Sequence, residues 1–214
     1  AKGIPSNEAA LRHQLPWVPI STIAEQHYCE LKVEHEYTKG AVPTEGKAEG
    51  DVLHEQLLAM KPTTFEAIIE KIQKQPVYSA SFPVAAKIGE LTIGGKPDAI
   101  TFIRGKPAFL IELKTTATDP RRLFRGEVVQ AKTYAVALDL MGFDCSDLKL
   151  VIARWRRKEV PSDEQRRRFL TLLVRGLWAK QQSKLEEAYG NRLKFHFIDY
   201  VRDDALKDVL WTQD

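Results

Sequence analysis

The stretch "GKPDAITFIRGKPAFLIELKTT", residues 95–116, predicts a β-hairpin whose second strand carries charges among apolar residues. Apolar and β-branched residues flank the turn "RGKP" at 104–107, which is typical of two antiparallel strands. Side chains alternate along a strand, so one face of the second strand carries Ala108, Leu110, Glu112 and Lys114. The other face carries Phe109, Ile111 and Leu113, and we expect the strand to be buried on both sides at its start.

The hairpin brings a second carboxylate towards this charged strand. Folding back around the turn sets Asp98 level with residues 112–114, although the pattern does not fix the register to one residue. Two adjacent carboxylates repel unless a cation neutralises them, and their oxygens suit Mg²⁺ or Mn²⁺. Lys114 could then position or deprotonate an attacking water, or stabilise a phosphoryl oxygen. The alternative is a salt-bridged strand end, which explains Glu112 and Lys114 but explains Asp98 less well.

The remaining chain alternates between helical and strand periodicity. Before the hairpin, the pattern predicts helices over 20–37 (with Ser21 as N-cap), 51–61 and 63–75, then strands within 77–95. After it come a helix over 126–141, a strand over 147–155, a long helix from the Ser162–Gln165 capping box to Gly190, and a strand over 192–200. This order predicts an α/β fold with a mixed central sheet flanked by helices. We expect one domain over 1–214, mainly helical in 1–76 and sheet-containing in 77–214.

Composition narrows the class of protein. The chain has 43% hydrophobic and 29% charged residues, and no apolar run long enough to span a bilayer. The first residues lack the apolar segment of a signal peptide, so we expect a cytoplasmic protein with no membrane partner. The net charge is only +3, but the segment 154–168 concentrates arginines, among them Arg154, Arg156 and Arg157. Such a cluster suits nucleic acid, and it is equally compatible with a solvated helix face.

Four motifs together resemble a known family. Pro97-Asp98 followed by Glu112-Leu113-Lys114 resembles the signature of the PD-(D/E)XK nuclease superfamily. "GDVLHEQL", with Gly50 and His54, resembles the G-x-x-x-H helix of its RecB-like branch, and "VVQAKTYAV" resembles that branch's Q-x-x-x-Y motif. "STIAEQHYCELKVEHEY", at 21–37, resembles the opening of the CRISPR-associated RecB-like exonucleases, the "Cas four" group, including the cysteine at position 29. The resemblance covers about residues 18–155.

The resemblance implies a restriction-endonuclease-like core and a DNA nuclease that depends on Mg²⁺ or Mn²⁺. The implied metal ligands are the side chains of Asp98, Glu112 and His54 and the backbone carbonyl of Leu113. Lys114 would be the catalytic lysine. The helix residues that would face the site are Gln130 and Tyr134, which share one helix face because they are four residues apart. Without the motifs, His54 would be read as a structural or solvated histidine, and the helix pair as part of a half-buried surface.

Basic residues near the site are candidate nucleic-acid ligands. Arg121, Arg122 and Arg125 precede the motif helix, where they could hold phosphates or simply be solvated. The C-terminal cluster adds Arg154, Arg156 and Arg157. We expect single-stranded DNA or DNA ends as the substrate, and CRISPR adaptation or DNA-repair proteins as candidate partners.

One departure from the resembled group concerns iron. Many of its members bind an iron–sulfur cluster through one N-terminal and three C-terminal cysteines, whereas this chain has two cysteines, Cys29 and Cys145. We therefore expect no cluster. Three functions stay open at this point: an exonuclease, a structure-specific or restriction-type endonuclease, and a non-catalytic nucleic-acid-binding partner protein.

Overall fold

The predicted hairpin forms the centre of the fold. The computed structural model describes residues 15–40, 64–156 and 182–210, with the single positions 171 and 174. Strand β5 (Ala99–Ile103) pairs antiparallel with strand β6 (Lys106–Thr116). The turn is shorter than predicted, because only Arg104 and Gly105 lie outside the strands. Their φ angles of 50° and 85° are those that a two-residue turn needs to match the strand twist.

A five-stranded mixed sheet is built around the hairpin. Its order is β2 (Val77–Ala80), β5, β6, β7 (Lys149–Arg156) and β8 (Leu193–Asp199). Strands β6 and β7 are parallel, and the other neighbours are antiparallel. A second sheet has the order β1 (Val18–Pro19), β4 (Leu91–Gly95) and β3 (Val84–Ile88). A parallel pair needs a long crossover, and here a helix supplies it between β6 and β7.

Helices cover both faces of the larger sheet. In the described part of the chain they are α1 (Ile20–Gln26), α2 (Glu30–Lys39), α3 (Phe65–Lys74), α4 (Arg125–Leu140), α5 (Gln182–Tyr189) and α6 (Arg202–Leu210). One core lies on the α4 side of the sheet and includes Leu110, Val129 and Ile152. The other lies on the opposite face, where Tyr189 of α5 joins Leu113. The α/β fold with a mixed sheet flanked by helices is therefore confirmed.

The single helix predicted over 20–37 is wrong. The backbone N–H groups of Tyr28 and Cys29 both donate to the Glu25 carbonyl, which ends α1, and the extended Cys29 starts α2 as its N-cap. Ser21 lies inside α1, whose N-cap is Pro19. Tyr28, between the two helices, and Leu31, in α2, are 82% and 80% exposed. The helix predicted over 51–61 and the capping box at Ser162 lie outside the described residues.

Most of the other sequence predictions agree with the described elements to within a few residues. Helix α3 starts after Thr64, whose hydroxyl accepts the Ala67 N–H at 3.2 Å, as expected of an N-cap. Strand β1 and helix α6 were not predicted. None of the helices within the described ranges is long and apolar enough to cross a membrane.

Close packing of α4 on α1 depends on Gly126. A Cβ atom added there would lie 2.7 Å from the backbone carbonyl oxygen of Ala24. Backbone cannot rotate away as a side-chain tip can, so the two helices would have to separate. The first turn of α4 is therefore fixed in place by α1.

We expect Gly126→Ala to destabilise the protein by about 1–3 kcal/mol, the usual cost of overpacking, despite the better helix propensity of alanine. Urea unfolding measures the difference. Gln26→Ala, on the exposed side of α1, is the control and should unfold like the wild type. A Gly126→Ala protein as stable as the wild type would contradict this account of the α1–α4 contact.

Candidate active site

Asp98 lies beside the charged part of β6. It immediately precedes β5, and the pairing of Ala99 with Ile111 sets Asp98 level with Glu112. The Asp98 Oδ2 atom accepts a hydrogen bond from the Leu113 N–H at 2.7 Å, and the Asp98 N–H donates to Glu112 Oε1 at 3.3 Å. Each of the two carboxylates thus accepts a backbone N–H from the strand segment that carries the other carboxylate.

Glu112 is the buried member of this pair. Only 2% of the residue is exposed. Burial and, secondly, the charge of Asp98 raise the pKa of Glu112 to about 7, while Lys114 and the Asp98 N–H act in the opposite direction. The Lys114 Nζ atom lies 3.3 Å from Glu112 Oε2. The Lys114 ammonium therefore offsets only part of the cost of ionising Glu112.

Helix α4 supplies the second set of polar groups. Lys114 Nζ donates to Gln130 Oε1 at 2.7 Å, so the lysine is held between Gln130 and Glu112. The Tyr134 hydroxyl contacts the Gln130 side chain and the backbone of Lys96. Burial, followed by the negative charge of Glu112, raises the pKa of Tyr134 above its ordinary value. The phenol consequently stays neutral at physiological pH and serves as a hydrogen-bonding group.

Gly95 makes room for Tyr134, and sequence reasoning did not single it out. A Cβ atom at Gly95 would lie 2.9 Å from the Tyr134 Cε1 atom. The end of β4 therefore approaches the tyrosine ring more closely than any other residue type would permit. The sequence shows a glycine directly before the Lys96-Pro97-Asp98 segment. Only the packing of α4 shows that glycine is needed there, because the Tyr134 ring lies against it.

The chemistry of this donor set fits a hard divalent cation. Carboxylate and carbonyl oxygens are the ligands that Mg²⁺ and Mn²⁺ prefer, and Asp98, Glu112 and the Leu113 carbonyl would supply them. A cation here would also offset the repulsion that raises the pKa of Glu112. Within the described ranges, no three His, Cys, Asp or Glu residues cluster as a metal site. The further predicted ligand, His54, lies outside those ranges.

The predicted nucleic-acid ligands fall into two environments. Arg121, Arg122 and Arg125 are exposed on the loop and first turn that lead into α4. Asp119 holds Arg121 through hydrogen bonds from Nε at 3.1 Å. Arg121 and the half-buried Arg156 line one cavity of about 500 Å³. Arg157 lies outside the described residues.

Arg154 differs from the expected solvated basic face. It is 1% exposed, with its Nη1 atom 3.3 Å from Glu127 Oε2 and its guanidinium 4.8 Å from the centre of the Phe124 ring. In this conformation no phosphate reaches it. Sequence reasoning did not find Glu127 or Phe124, because nothing local indicates that they cover a strand residue from a later part of the chain.

Comparisons with known proteins add little to this geometry. No family model matches the chain, and no curated protein matches it. A solved structure described as "Crystal structure of SSO0001" is 15% identical, with 92% of this chain and 76% of that chain covered and a TM-score of 0.39. A likeness this weak carries no argument about fold or function.

We expect metal-free Glu112→Gln to be more stable than the wild type at pH 8, by up to about 3 kcal/mol. The folded wild type holds the Glu112 proton more tightly than the unfolded chain, because its pKa is raised from 4.5 to about 7. The wild type therefore loses unfolding free energy as the pH rises through this interval, and glutamine does not. Urea unfolding in EDTA between pH 4 and pH 8.5 measures both curves.

The exposed Glu66 of α3 provides the control, since Glu66→Gln leaves Glu112 in place and should keep the loss of stability with rising pH. The difference between wild type and Glu112→Gln should disappear near pH 4, where Glu112 is largely protonated in both the folded and the unfolded wild type. Parallel curves over the whole interval would show that Glu112 is ionised without cost.

Proposed function

We propose that this protein is a metal-dependent DNA nuclease that hydrolyses phosphodiester bonds, acting as an exonuclease on single-stranded DNA or DNA ends. The observation that carries the proposal is the convergence of Asp98, Glu112 and Lys114 in one polar site, with Lys114 held by Gln130 at 2.7 Å. A salt-bridged strand end would leave these groups exposed. Instead Glu112 is buried and its pKa is raised, a condition that is common at functional sites.

The proposed roles follow from the contacts. Asp98, Glu112, the Leu113 carbonyl and His54 would hold Mg²⁺ or Mn²⁺. Such a cation supplies Lewis-acid stabilisation of the phosphoryl oxygens and favours ionisation of water. Lys114 carries three N–H donors, and Gln130 and Glu112 leave its side chain 22% exposed. It can therefore donate to an attacking water or to a phosphoryl oxygen, where an aligned charge stabilises the transition state.

Membership of the RecB-like branch of the PD-(D/E)XK superfamily is part of the proposal. Support comes from the contacts among its motif residues: Asp98 meets the Glu112-Leu113-Lys114 strand, and Gln130 links Lys114 to Tyr134. DNA-repair or CRISPR adaptation proteins remain the proposed partners, and an iron–sulfur cluster is not part of the proposal.

Two DNA forms distinguish the candidate functions. End-labelled linear DNA and covalently closed circular DNA are incubated with Mn²⁺ and, separately, with EDTA. Metal-dependent loss of the linear form alone supports the exonuclease. Cleavage of both forms would support an endonuclease, and cleavage of neither would support a non-catalytic binding protein.

The metal ligands and the lysine should be separable by mutation. We expect Asp98→Ala and Glu112→Ala to weaken Mn²⁺ binding and abolish cleavage, because each removes a carboxylate ligand. Lys114→Ala should bind Mn²⁺ at least as well as the wild type, since a neighbouring cation has gone, yet lose about 10²–10⁴-fold in cleavage rate. Calorimetric Mn²⁺ titration and a nuclease assay on the same preparations measure both properties.

Matched controls lie at the turn end of the hairpin, away from Lys114. Lys106, at the start of β6, forms an ion pair with Asp144 at 2.6 Å. Lys106→Ala and Asp144→Ala should bind Mn²⁺ and cleave like the wild type. Wild-type cleavage by Lys114→Ala, or normal Mn²⁺ binding by Asp98→Ala, would reduce the site to a salt-bridged strand end.

The exposed arginines should contribute to DNA affinity through phosphates. In a Lys114→Ala background that prevents cleavage, we expect replacement of Arg121, Arg122 and Arg125 by glutamine to flatten the slope of log K against log salt. The expected change is about 0.7 per lost contact on single strands. Lys149→Gln is the control, because Lys149 lies at the start of β7, the end of that strand away from Arg154. An unchanged slope would mean that these arginines are only solvated.

A further inference from the structure

Arg154 is a buried charge that the proposed chemistry does not use. Among the described residues its partners are Glu127, at 3.3 Å from Nη1, and the ring of Phe124. Within the described ranges, neither Nε nor Nη1 has a hydrogen-bond partner, so the contact with Glu127 is an ion pair without hydrogen-bond geometry. Desolvating a guanidinium is costly, and well-packed apolar residues often stabilise a protein as well as a buried ion pair does. Stability alone is therefore a weak explanation for an arginine at this position.

The register of the sheet sets Arg154 beside the candidate catalytic lysine. Strands β6 and β7 are parallel, with Lys114 directly paired with Arg154. Paired residues of neighbouring strands project from the same face of a sheet, and here that face lies under α4. Both side chains reach the helix: Lys114 reaches Gln130 at 2.7 Å, and Arg154 reaches Glu127 at 3.3 Å.

These two polar contacts, together with the α4 backbone and the β6–β7 pairing, close a loop that we call the polar ring. Glu127 and Gln130 are three residues apart, so they are neighbours on one face of α4. The ring runs from Lys114 to Gln130, along one turn of helix to Glu127, down to Arg154, and back across the strand pair to Lys114. Two neighbouring strands thus each contact one residue on the same face of α4.

Glu127 also fixes the start of the helix. Its Oε2 atom accepts the backbone N–H of Phe124, the N-cap of α4, at 3.3 Å. Arg154 holds the same oxygen atom from the sheet below. Gly126 fixes the approach of this turn to α1, and the ion pair adds its contact with the sheet. The position of the Gln130 side chain depends on both. A displacement of about 1 Å in such a supporting contact is enough to lower a catalytic rate substantially.

We infer that Arg154 is a positioning residue of the active site: through Glu127 and the first turn of α4 it sets Gln130 against Lys114, and it does not bind DNA. This inference rests on the proposed nuclease function. It replaces, for this one residue, the expectation that the arginine contacts a phosphate.

Arg154→Met tests the inference, because methionine fills the buried space and removes only the cation. Glu127 is left with a side chain that is 17% exposed and able to meet water. Removing one partner of a buried ion pair leaves the other charge uncompensated, so we expect a lower unfolding free energy. We expect kcat to fall about 10–100-fold, as for supporting contacts around metal sites. KM for single-stranded DNA and the salt dependence of binding should not change.

Arg154→Lys is a second, smaller change that keeps the positive charge and loses the planar fork. It should have a kcat between those of the wild type and Arg154→Met. This variant also keeps the inference testable if the methionine variant does not fold.

Lys132→Met is the matched control for loss of any ion pair on α4. Lys132 pairs with Asp208 of α6, so its contact does not reach the sheet. We expect lower stability here too, but with wild-type kcat. If both variants lose kcat equally, Arg154 is one of several general supports of α4, and the inference fails.

A readout without catalysis separates this inference from the proposed function. In metal-free protein, the ¹⁵N–¹H resonances of the Gln130 side-chain amide should shift in Arg154→Met and stay in place in Lys132→Met. If the wild type cleaves no DNA with Mn²⁺ but the Gln130 signal shifts, the nuclease proposal fails and the polar ring stands. An unmoved Gln130 signal, or a loss confined to KM with a flatter salt slope, would overturn the positioning role.

Discussion

The hydrogen bond from the Leu113 N–H to the Asp98 carboxylate, 2.7 Å long, is the contact on which the site depends. Strand β5 starts at Ala99, so Asp98 is the point at which strand pairing gives way to a side chain. The carboxylate takes over the role of a strand neighbour and satisfies a backbone donor that would otherwise be buried without a partner. The same contact brings Asp98 next to Glu112, and everything polar in the site follows from that proximity.

Placing the Glu112 carboxylate in the interior beside Asp98 costs folding free energy. Burial disfavours ionised Glu112, and the Asp98 charge disfavours it further. The single ammonium of Lys114 offsets only part of this, since it also donates to Gln130. An interior region of this kind is poorly explained by folding alone, because apolar side chains of similar volume would pack there at lower cost. The balance of charges instead suits a site that is completed by a divalent cation.

Helix α4 turns these strand residues into a shaped site. Close approaches fix it at two levels: Gly126 against the backbone of Ala24, and Gly95 of β4 against the Tyr134 ring. Between these levels lie the polar contacts to Lys114 and Arg154. A helix held by backbone contact at one end and by ring packing further along has little freedom to slide, so Gln130 meets Lys114 in one geometry. The smaller sheet therefore contributes to the site although it supplies none of the charged groups.

The two-residue period of 95–116 by itself determined the hairpin, the faces of β6 and the proximity of Asp98 to Glu112. These features are local, because alternation and a short turn leave few ways for two neighbouring strands to pair. The four-residue spacing likewise determined that Gln130 and Tyr134 share a helix face. The hydrophobic pattern did not show the break between α1 and α2, where local backbone hydrogen bonds to the Glu25 carbonyl end α1. The burial of Arg154 was decided only by tertiary structure. Arginine is read from sequence as a surface residue, and it is buried here because Phe124 and Glu127, about 30 positions earlier, cover it. Such contacts depend on which distant segments meet, and no local pattern encodes that.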